Sequence, residues 1–471
     1  MQCFKIKKSK LFSICVSIIL ILIYKNLVEK QNDLHIECVI SVSFLIATLF
    51  LLYIRYRKIT GGMLFYICIL IMHTGQIILT AFNLDFSSSL KSSIAISDII
   101  PYSFEAIKIT TILCLVIAST ICIFENIEDL QKKNELIFPK IEIKLTKLGW
   151  CIITIVIVLT VISDLVRIKQ VANVGYAYGY HQNNTILYYA DFLFPLCYFL
   201  VITVYRNDWR MIRSVFFLVA IRDLYCAFLI GSRGEAVLDI IMCVFAISKT
   251  TTSTKIKNNI KCIFILSCIA GFLALPFTGL FRADKSLSFI TFLKDNNPLV
   301  YSLTEFGGSI VNVRLALQNQ FSLPISDFWT SFLSIVPMST KILPNILNNY
   351  GGSYVNYLNI GFGGGLGGSV LGEAIFWFGE KSGALVYIFI YTLLVVLCMN
   401  KLRQDEKSSS LINNTVLLFL LYEMFYQIRG SISSFQSGLK ILIYFWILMT
   451  AFKKYIFLNK NINDYKKGLK K

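Results

Sequence analysis

Charged residues are scarce in this sequence of 471 residues. Asp, Glu, Lys and Arg make up 15% of it, while 56% is hydrophobic and the mean hydropathy is +0.67. Ordinary soluble domains contain about 25% charged residues. The scarcity of charge excludes a chain built from soluble domains and predicts that a lipid bilayer is its solvent.

Histidine and paired cysteines are also lacking. Only three histidines occur, at His35, His73 and His181, and the 13 cysteines include no CxxC pair. A zinc or haem site needs such ligands close together, so we predict no metal and no cofactor. The cysteines lie mostly in apolar runs, which indicates small hydrophobic residues rather than a disulfide framework.

Long apolar runs, by contrast, are abundant. A helix needs roughly 20 mostly apolar residues to cross a bilayer, because its backbone amides must be satisfied internally. The sequence predicts an all-α, polytopic integral membrane protein with about twelve transmembrane helices. The predicted spans are 11–24, 38–54, 62–82, 106–124, 148–166, 186–204, 212–230, 234–248, 260–280, 383–400, 411–428 and 439–457. No small-residue cleavage site follows the first run, so we interpret it as a retained helix.

The basic residues predict the orientation. Lys and Arg near span ends stay in the cytoplasm, and they are more than twice as frequent in the segments that lie inside when the N-terminus is placed there. We therefore expect a multi-pass protein with both termini cytoplasmic. This distribution also accounts for the net charge of +18, because basic segments beside a membrane contact anionic lipids. We predict membrane lipids, and no nucleic acid, as partners.

The spacing of the runs divides the chain into three parts. Residues 1–280 are predicted to form a bundle of about nine spans, 281–382 a long outer (periplasmic) loop, and 383–471 three spans with a basic cytoplasmic tail. The loop contains the run GFGGGLGG, which lacks the Lys and Ser or Thr of a phosphate loop and indicates flexible backbone. The apolar segment that follows, 369–378, is too short to span and predicts a re-entrant or interfacial helix.

Ionisable residues within the spans are costly and usually face a cavity or a partner. Most of them map to the outer halves of their helices, and two lie near the middle of theirs. They predict either a polar cavity that opens outward or structural ion pairs between helices. The residues are Asp164, Asp191, Arg222, Asp223, Glu235, Asp239 and Glu423.

Three short motifs lie at predicted outer positions: Arg233-Gly234 in a tight turn, Glu373 before Phe378-Gly379, and Arg429-Gly430 near the C-terminus. In this arrangement the chain resembles Wzy-type O-antigen and capsular polysaccharide polymerases. The family commonly has an Asn before the Phe-Gly pair, and this chain has Trp377 there, so any contact that depends on that Asn is in doubt.

The resemblance implies a glycosyl transfer on the outer face of the bacterial inner membrane. The growing glycan would leave one polyprenyl diphosphate and join the sugar of an incoming lipid-linked repeat unit, for O-antigen, capsule or exopolysaccharide synthesis. It implies undecaprenyl diphosphate-linked oligosaccharide as substrate, and a chain-length regulator and a flippase as partners.

This chemistry selects candidate residues by type. A departing diphosphate needs cations, and Arg binds phosphate oxygens with two parallel hydrogen bonds; Arg233 and Arg429 come first, then Arg282 and Arg314. The attacking hydroxyl needs a base, for which Glu373 and Glu235 are candidates and His181 a weaker one.

Aromatic rings stack on sugars, and the region between the fifth and sixth spans is rich in them. These sugar-binding candidates are Tyr176, Tyr178, Tyr180 and His181, with Tyr188 and Tyr189 beside them. An interfacial aromatic belt is the alternative interpretation of the tyrosines, and Glu235 could instead pair with Arg233 or act on a helix dipole.

Alternative functions make different demands on the sequence. A lipid-linked oligosaccharide flippase or another transporter would be expected to have repeated halves, and the loop at 281–382 has no counterpart in the first half. An O-antigen ligase uses the same donor but typically relies on an outer-loop histidine, and this loop has none. A structural role is opposed by the ionisable residues within the spans.

Overall fold

A computed structural model describes most of the chain. The described residues are 8–29, 31–84, 104–126, 141–174, 185–231, 233–283, 288–295, 297–336, 368–402, 408–430 and 432–461. Helices dominate them, as expected where backbone amides have no water to bind.

Helices coincide with all nine predicted spans of the first 280 residues. The seventh of these ends in a π-turn, Cys226–Ile230, which follows its α-helix directly. The elements are α1 (Lys8–Val28), α2 (Leu34–Tyr56), α3 (Gly61–Ala81), α4 (Phe104–Phe124), β1 (Ile141–Leu145), α5 (Lys147–Val174), α6 (Thr185–Val204), α7 (Trp209–Tyr225), α8 (Arg233–Thr250) and α9 (Thr254–Ala283).

Short helices follow in the segment predicted as the long outer loop, and longer ones return after it. The helix predicted at 369–378 is confirmed as Val370–Phe378. The elements are α10 (Phe289–Asp295), α11 (Pro298–Phe306), α12 (Ser309–Gln318), α13 (Ile325–Phe332) with a 3-10 turn (Leu333–Ile335), α14 (Val370–Phe378), α15 (Ser382–Lys401), α16 (Ser408–Tyr426), α17 (Ile432–Ala451), α18 (Lys453–Ile456) and β2 (Phe457–Asn461).

Seven helices among the described residues are long and apolar enough to cross a membrane: α2, α3, α4, α5, α6, α15 and α17. Large apolar side chains point outward along them, and Phe50, Ile155 and Leu394 are 61%, 53% and 47% exposed. Apolar exposure on this scale indicates lipid contact. The multi-pass membrane architecture is confirmed, while the count of about twelve spans and the placement of 281–382 outside the membrane stay predictions.

The expectation of a purely α-helical chain needs one correction. Strands β1 and β2 form an antiparallel pair, with Ile141 opposite Asn461 and Leu145 opposite Phe457. Ile143 and Leu145 are buried, so the strand shows the two-residue alternation typical of one buried face. The apolar residues alternate with charged ones at 142 and 144, which is itself a strand signal, but the run is only five residues long and lies in the segment predicted as an inner connection.

The chain forms two compact units, each assembled from three segments. The first unit comprises 1–126, 272–400 and 424–436. Within it α2 packs against α3 and α4, α11 and α12 pack against α3, and α12 packs against α14. Helices α3 and α11 approach very closely at Gly75. A Cβ added there would overlap with the carbonyl oxygen of Leu303. Only glycine fits at that position.

The second unit comprises 127–271, 401–423 and 437–471. Helix α6 packs against α5, α7 and α8, and α5 packs against the π-turn. An apolar core joins the sheet to the helices through Ile143, Ile153, Leu200 and Phe457. The three-part division predicted along the chain stays a prediction.

Candidate active site

Glu373 lies in the first turn of α14, in the first unit. The helix begins directly after Ser369, whose hydroxyl oxygen accepts a hydrogen bond from the amide of Gly372 at 3.0 Å. Ser369 is therefore the N-cap of α14. The Glu373 side chain is 1% exposed and sits at the positive end of the helix dipole, which favours a carboxylate.

The partners of the Glu373 carboxylate are neutral hydrogen-bond donors. The backbone amide of Ile432 donates to both carboxylate oxygens, at 3.1 and 3.0 Å. The side-chain amide of Gln427 donates to Oε2 at 3.2 Å. No Lys or Arg among the described residues forms an ion pair with it. Burial therefore dominates and raises the pKa of Glu373 to about 7, although the donors oppose the rise.

A cluster of aromatic rings adjoins the Gln427 side chain that binds this carboxylate. The Gln427 amide also lies 3.2 Å from the hydroxyl of Tyr387. The Tyr387 ring stacks on Phe378 with centroids 5.1 Å apart, and Phe328 makes edge or tilted contacts with Tyr387, Phe378 and Trp377. The Glu373 carboxyl group thus has few polar partners, and one of them, Gln427, joins it to an aromatic cluster.

The second Arg-Gly motif lies in the turn between α16 and α17. The carbonyl of Arg429 accepts a hydrogen bond from the amide of Gly368 at 2.9 Å, and Ile432, three residues later, binds Glu373. A Cβ on Gly430 would lie 2.9 Å from the carbonyl oxygen of Tyr426, so the turn requires glycine there. The structure therefore joins the Glu373 motif and the Arg429 motif through backbone hydrogen bonds, as the motif spacing alone could not show.

His73 contacts the same N-cap from α3. Its Nδ1 lies 3.2 Å from the carbonyl of Ile69 and its Nε2 lies 2.8 Å from Oγ of Ser369. A carbonyl oxygen only accepts, so Nδ1 carries the proton, and in the neutral ring Nε2 accepts the Ser369 hydroxyl proton. His73 is fully buried and anchors the start of α14.

Two further predicted arginines lie on helices of the long connection. Arg314 is half-buried on α12, which packs against α14. Its Nη1 is buried with no hydrogen-bond partner among the described residues, so one donor of its guanidinium is unused. Arg282 lies at the C-terminal end of α9, and its side chain is outside the described residues.

The first Arg-Gly motif belongs to the second unit. The π-turn after α7 ends at Gly231, whose φ of 96° is left-handed and suits glycine. The amide of Arg233 donates to the carbonyl of Gly231 at 2.9 Å. Helix α8 begins at Arg233 and has Glu235 in its first turn, where both side chains are half-buried.

In the same unit, three of the predicted intramembrane carboxylates form ion pairs with two arginines. Asp164 on α5 binds Arg222 at 2.9 Å and Arg167 at 2.7 Å. Asp191 on α6 lies 3.2 Å from Arg167, and Asp239 on α8 lies 3.9 Å from Arg222. The prediction of partners for these residues is thus met by ion pairs between helices, while an outward-opening cavity stays a prediction.

The other residues of the prediction are distributed differently. Asp223 and Glu423 are buried in the second unit, and the Glu423 carboxyl carbon would lie 2.3 Å from a Cβ on Gly438. Tyr188 and Tyr189 form an edge contact with centroids 5.8 Å apart. The sugar-binding candidates Tyr176, Tyr178, Tyr180 and His181 lie outside the described residues.

The sequence did not single out several residues that the structure assembles around these groups. Arg167 and Tyr225 could have been found from the sequence. Arg167 follows Asp164 by three residues and Tyr225 follows Arg222 by three, so each shares a helix face with a predicted residue. Gln427, Tyr387 and His73 come from distant segments, and no local pattern marks them.

Spanning helices with lipid-exposed surfaces and buried polar groups between them define a polytopic membrane protein with at least one enclosed carboxylate site. A family model for the O-antigen polysaccharide polymerase Wzy matches residues 9–461. The chain therefore belongs to this family, and the resemblance seen in its motifs is confirmed. Searches among curated proteins and among solved structures returned no match.

Family membership gives the chain a general role. It is an O-antigen repeat-unit polymerase, a glycosyltransferase-type enzyme of a bacterial membrane that acts on lipid-linked oligosaccharide.

Proposed function

We propose that the chain transfers the growing glycan from a polyprenyl diphosphate to the sugar of an incoming lipid-linked repeat unit, on the outer face of the inner membrane. Both termini then lie in the cytoplasm. The observation that carries the proposal is Glu373, a carboxylate that is 1% exposed and hydrogen-bonded to neutral donors. Family membership supplies the reaction class.

Glu373 acts as the general base in this proposal. The acceptor hydroxyl oxygen forms a bond to C1 of the donor sugar, and the bond from C1 to the diphosphate oxygen breaks. The hydroxyl proton passes to the Glu373 carboxylate, and the polyprenyl diphosphate leaves with the bonding electron pair. A base with a pKa of about 7 is suited to this step, because general-base catalysis is most efficient when the pKa is near the working pH.

The leaving diphosphate needs cations that stay charged in a poorly solvated site. Arginine meets this need, because its guanidinium remains protonated and binds two phosphate oxygens at once. In the first unit Arg429 adjoins the Glu373 site along the chain, and Arg314 has an unused buried donor. Arg233 in the second unit and Arg282 complete the proposed set, and Glu235 is the alternative base.

The remaining contacts are also proposals. Tyr176, Tyr178, Tyr180 and His181 would bind the sugars, and undecaprenyl diphosphate would be the lipid of the substrate. A flippase that delivers repeat units and a regulator of chain length would be the protein partners.

The pathway step is tested in a strain from which the gene for this chain has been deleted. The glycan ladder and the extracted lipid-linked saccharides are compared with and without complementation by the intact chain. We expect long chains to vanish while single repeat units still reach the outer surface or the lipid A core. Repeat units retained on the inner leaflet would indicate a flippase, and a full ladder without its final acceptor would indicate a ligase.

The base is tested by complementation with Glu373→Gln, with Glu380→Gln as matched control. The substitution fits the site, because rotation of the Gln427 amide would present its Oε1 to the new amide. This oxygen has no hydrogen-bond partner within the described part of the chain. We expect polymer formation to fall about 100-fold or more at an unchanged protein level, and Glu380→Gln to retain activity. Near-normal polymer from Glu373→Gln, with loss in Glu235→Gln, would transfer the role to Glu235.

A further inference from the structure

The Asp164 carboxylate is the centre of the ion network in the second unit. It is fully buried and accepts four hydrogen bonds from three residues. Arg222 donates through Nε at 2.9 Å and Nη2 at 3.1 Å, Arg167 through Nη2 at 2.7 Å, and Tyr225 through its hydroxyl at 2.6 Å. The donors fix both oxygens, so Asp164 has a single orientation.

Two of these donors stand directly before the π-turn. Arg222 and Tyr225 are three residues apart at the end of α7, and so both face Asp164. The π-turn starts at the next residue and closes with a hydrogen bond from the amide of Gly231 to the carbonyl of Cys226 at 2.8 Å. The amide of Arg233 then binds the carbonyl of Gly231. Hydrogen bonds and the short stretches of backbone between them therefore connect Asp164 to Arg233.

Arg222 also contacts α8, the helix that follows the turn. Nη1 of Arg222 lies 3.9 Å from Asp239 on α8, and Asp239 accepts a hydrogen bond from the hydroxyl of Tyr198 at 3.1 Å. The guanidinium lies over the ring of Phe194 at 4.6 Å from its centroid. Arg222, on the helix before the Arg233 turn, thus contacts the helix after it.

A π-turn makes the position of Arg233 sensitive to these contacts. Such turns are rare, mostly consist of a single turn and are frequently found at functional sites. If the extra residue were absorbed into regular α-helix, every later residue would rotate by about 100° and shift by about 1.5 Å along the axis. The contacts of Tyr225 and Arg222 with the fully buried Asp164 fix the residues before the turn, and the contact of Arg222 with Asp239 fixes α8 after it. Together they oppose a rotation of one side of the turn relative to the other.

We propose that Asp164 is a positioning residue for polymerisation: through Arg222 and Tyr225 it holds the π-turn that directs Arg233 and Glu235 toward the lipid-linked substrate. The inference rests on the proposed function of Arg233 as a ligand of the diphosphate. It assigns Asp164 no contact with the substrate.

The test uses membranes that contain the full-length chain and a titrated lipid-linked repeat unit, with rates divided by the amount of inserted protein. Tyr225→Phe removes one hydroxyl and keeps the ring, so it is the variant most certain to insert. We expect it to raise KM about threefold, which is less than the full effect of a lost hydrogen bond to a charged group, because the effect reaches Arg233 only through the turn. Asp164→Asn should raise KM about tenfold or more, and the double variant should be no worse than Asp164→Asn alone, because both changes break one connection.

Asp191→Asn is the matched control. Asp191 is also an aspartate of this network, but it lies 3.8 Å from Arg222 and 3.2 Å from Arg167, and makes no contact with Tyr225. A KM change below about twofold is expected, because its close partners Arg167 and Ser163 lie on α5 and its contact with Arg222 is long. A purely structural network would lower the amount of inserted protein in all these variants and leave KM unchanged.

The outcomes separate the two proposals. Unchanged KM and kcat in Asp164→Asn and Tyr225→Phe, with Arg233→Ala inactive, would overturn the inference and leave the proposed function standing. Additive losses in the double variant would also overturn it. Arg233→Ala and Arg233→Lys should both be inactive, because a point charge does not replace the bidentate guanidinium; activity in both would remove Arg233 from the site and overturn both proposals.

Discussion

Glu373 and Asp164 are both carboxylates with almost no exposure, in the first and second unit respectively, yet their surroundings differ in kind. Asp164 accepts hydrogen bonds from two arginines and a tyrosine. Glu373 is bound by a backbone amide and a side-chain amide, and within the described part of the chain it has no cationic partner. Two carboxylates that are equally buried are therefore bound by opposite kinds of donor, charged in one case and neutral in the other.

The partners decide what a buried carboxylate can do. Two guanidinium groups and a tyrosine hydroxyl donate to both oxygens of Asp164 and hold this carboxylate in one orientation. Neutral donors compensate only part of the desolvation cost, so the free energies of the two protonation states lie close together and a proton can be gained and lost at neutral pH. The contrast is consistent with the positioning role proposed for Asp164 and with the proton transfer proposed for Glu373.

The largest expected effect is a difference in the free energy of unfolding between variants of Asp164 and of Glu373. Asp164→Ala leaves Arg222 and Arg167 buried with reduced compensation, and breaking such a pair typically costs about 3–5 kcal/mol. We expect a much lower midpoint of thermal unfolding for this variant in detergent. Glu373→Gln should change the free energy of unfolding by less than about 1.5 kcal/mol, because the glutamine amide replaces the carboxylate and keeps an oxygen that accepts hydrogen bonds. Equal losses in both variants would break the comparison.

The pH dependence of polymerisation tests the assignment of Glu373. Its pKa is raised to about 7, and a base must be ionised, so the rate should rise with pH through about 7. One pH unit below the pKa only about a tenth of the groups is ionised, and initial rates in membrane vesicles should fall accordingly. Glu380→Gln should keep this profile, and a rate that is flat between pH 6 and 8 would exclude Glu373 as the base.

Gln427→Leu sharpens the comparison, because it removes one donor and keeps the volume. The ionised form of Glu373 then loses stabilisation, so its pKa should rise and the midpoint of the pH profile should move up by about one unit. Tyr387→Phe is the control, because it removes the other partner of Gln427 and leaves the Glu373 hydrogen bonds in place. A shift to lower pH in Gln427→Leu would contradict the role given to neutral donors.

The smallest effect is expected at the N-cap of α14. Ser369→Ala removes the acceptor for the Gly372 amide and the partner of His73. Loss of an N-cap costs about 1 kcal/mol, which for a chain of this size lowers Tm by about 2 °C or less. The exposed Ser382→Ala, at the start of α15, should leave Tm unchanged. A loss of polymer as large as that in Glu373→Gln would give Ser369 a direct part in the reaction.

Much of the fold could be predicted from apolar runs, because a bilayer demands helices of a minimum length and polarity. The strand at β1 escaped notice, since only Ile141, Ile143 and Leu145 alternate in it, and its partner lies more than 300 residues later. The π-turn after Tyr225 was equally hidden, because one extra residue in a helix leaves no trace in the hydropathy of the segment.

The sequence by itself determined the membrane class, the family motifs and the identity of the catalytic candidates, because composition and residue chemistry are local properties. Only the tertiary structure decided which of the carboxylates meets arginine and which meets neutral amides. Gln427 and Ile432 reach Glu373 across more than 50 residues, and Arg222 reaches Asp164 across 58. The electrostatic character of a buried group is set by neighbours in space, and chain order does not encode them.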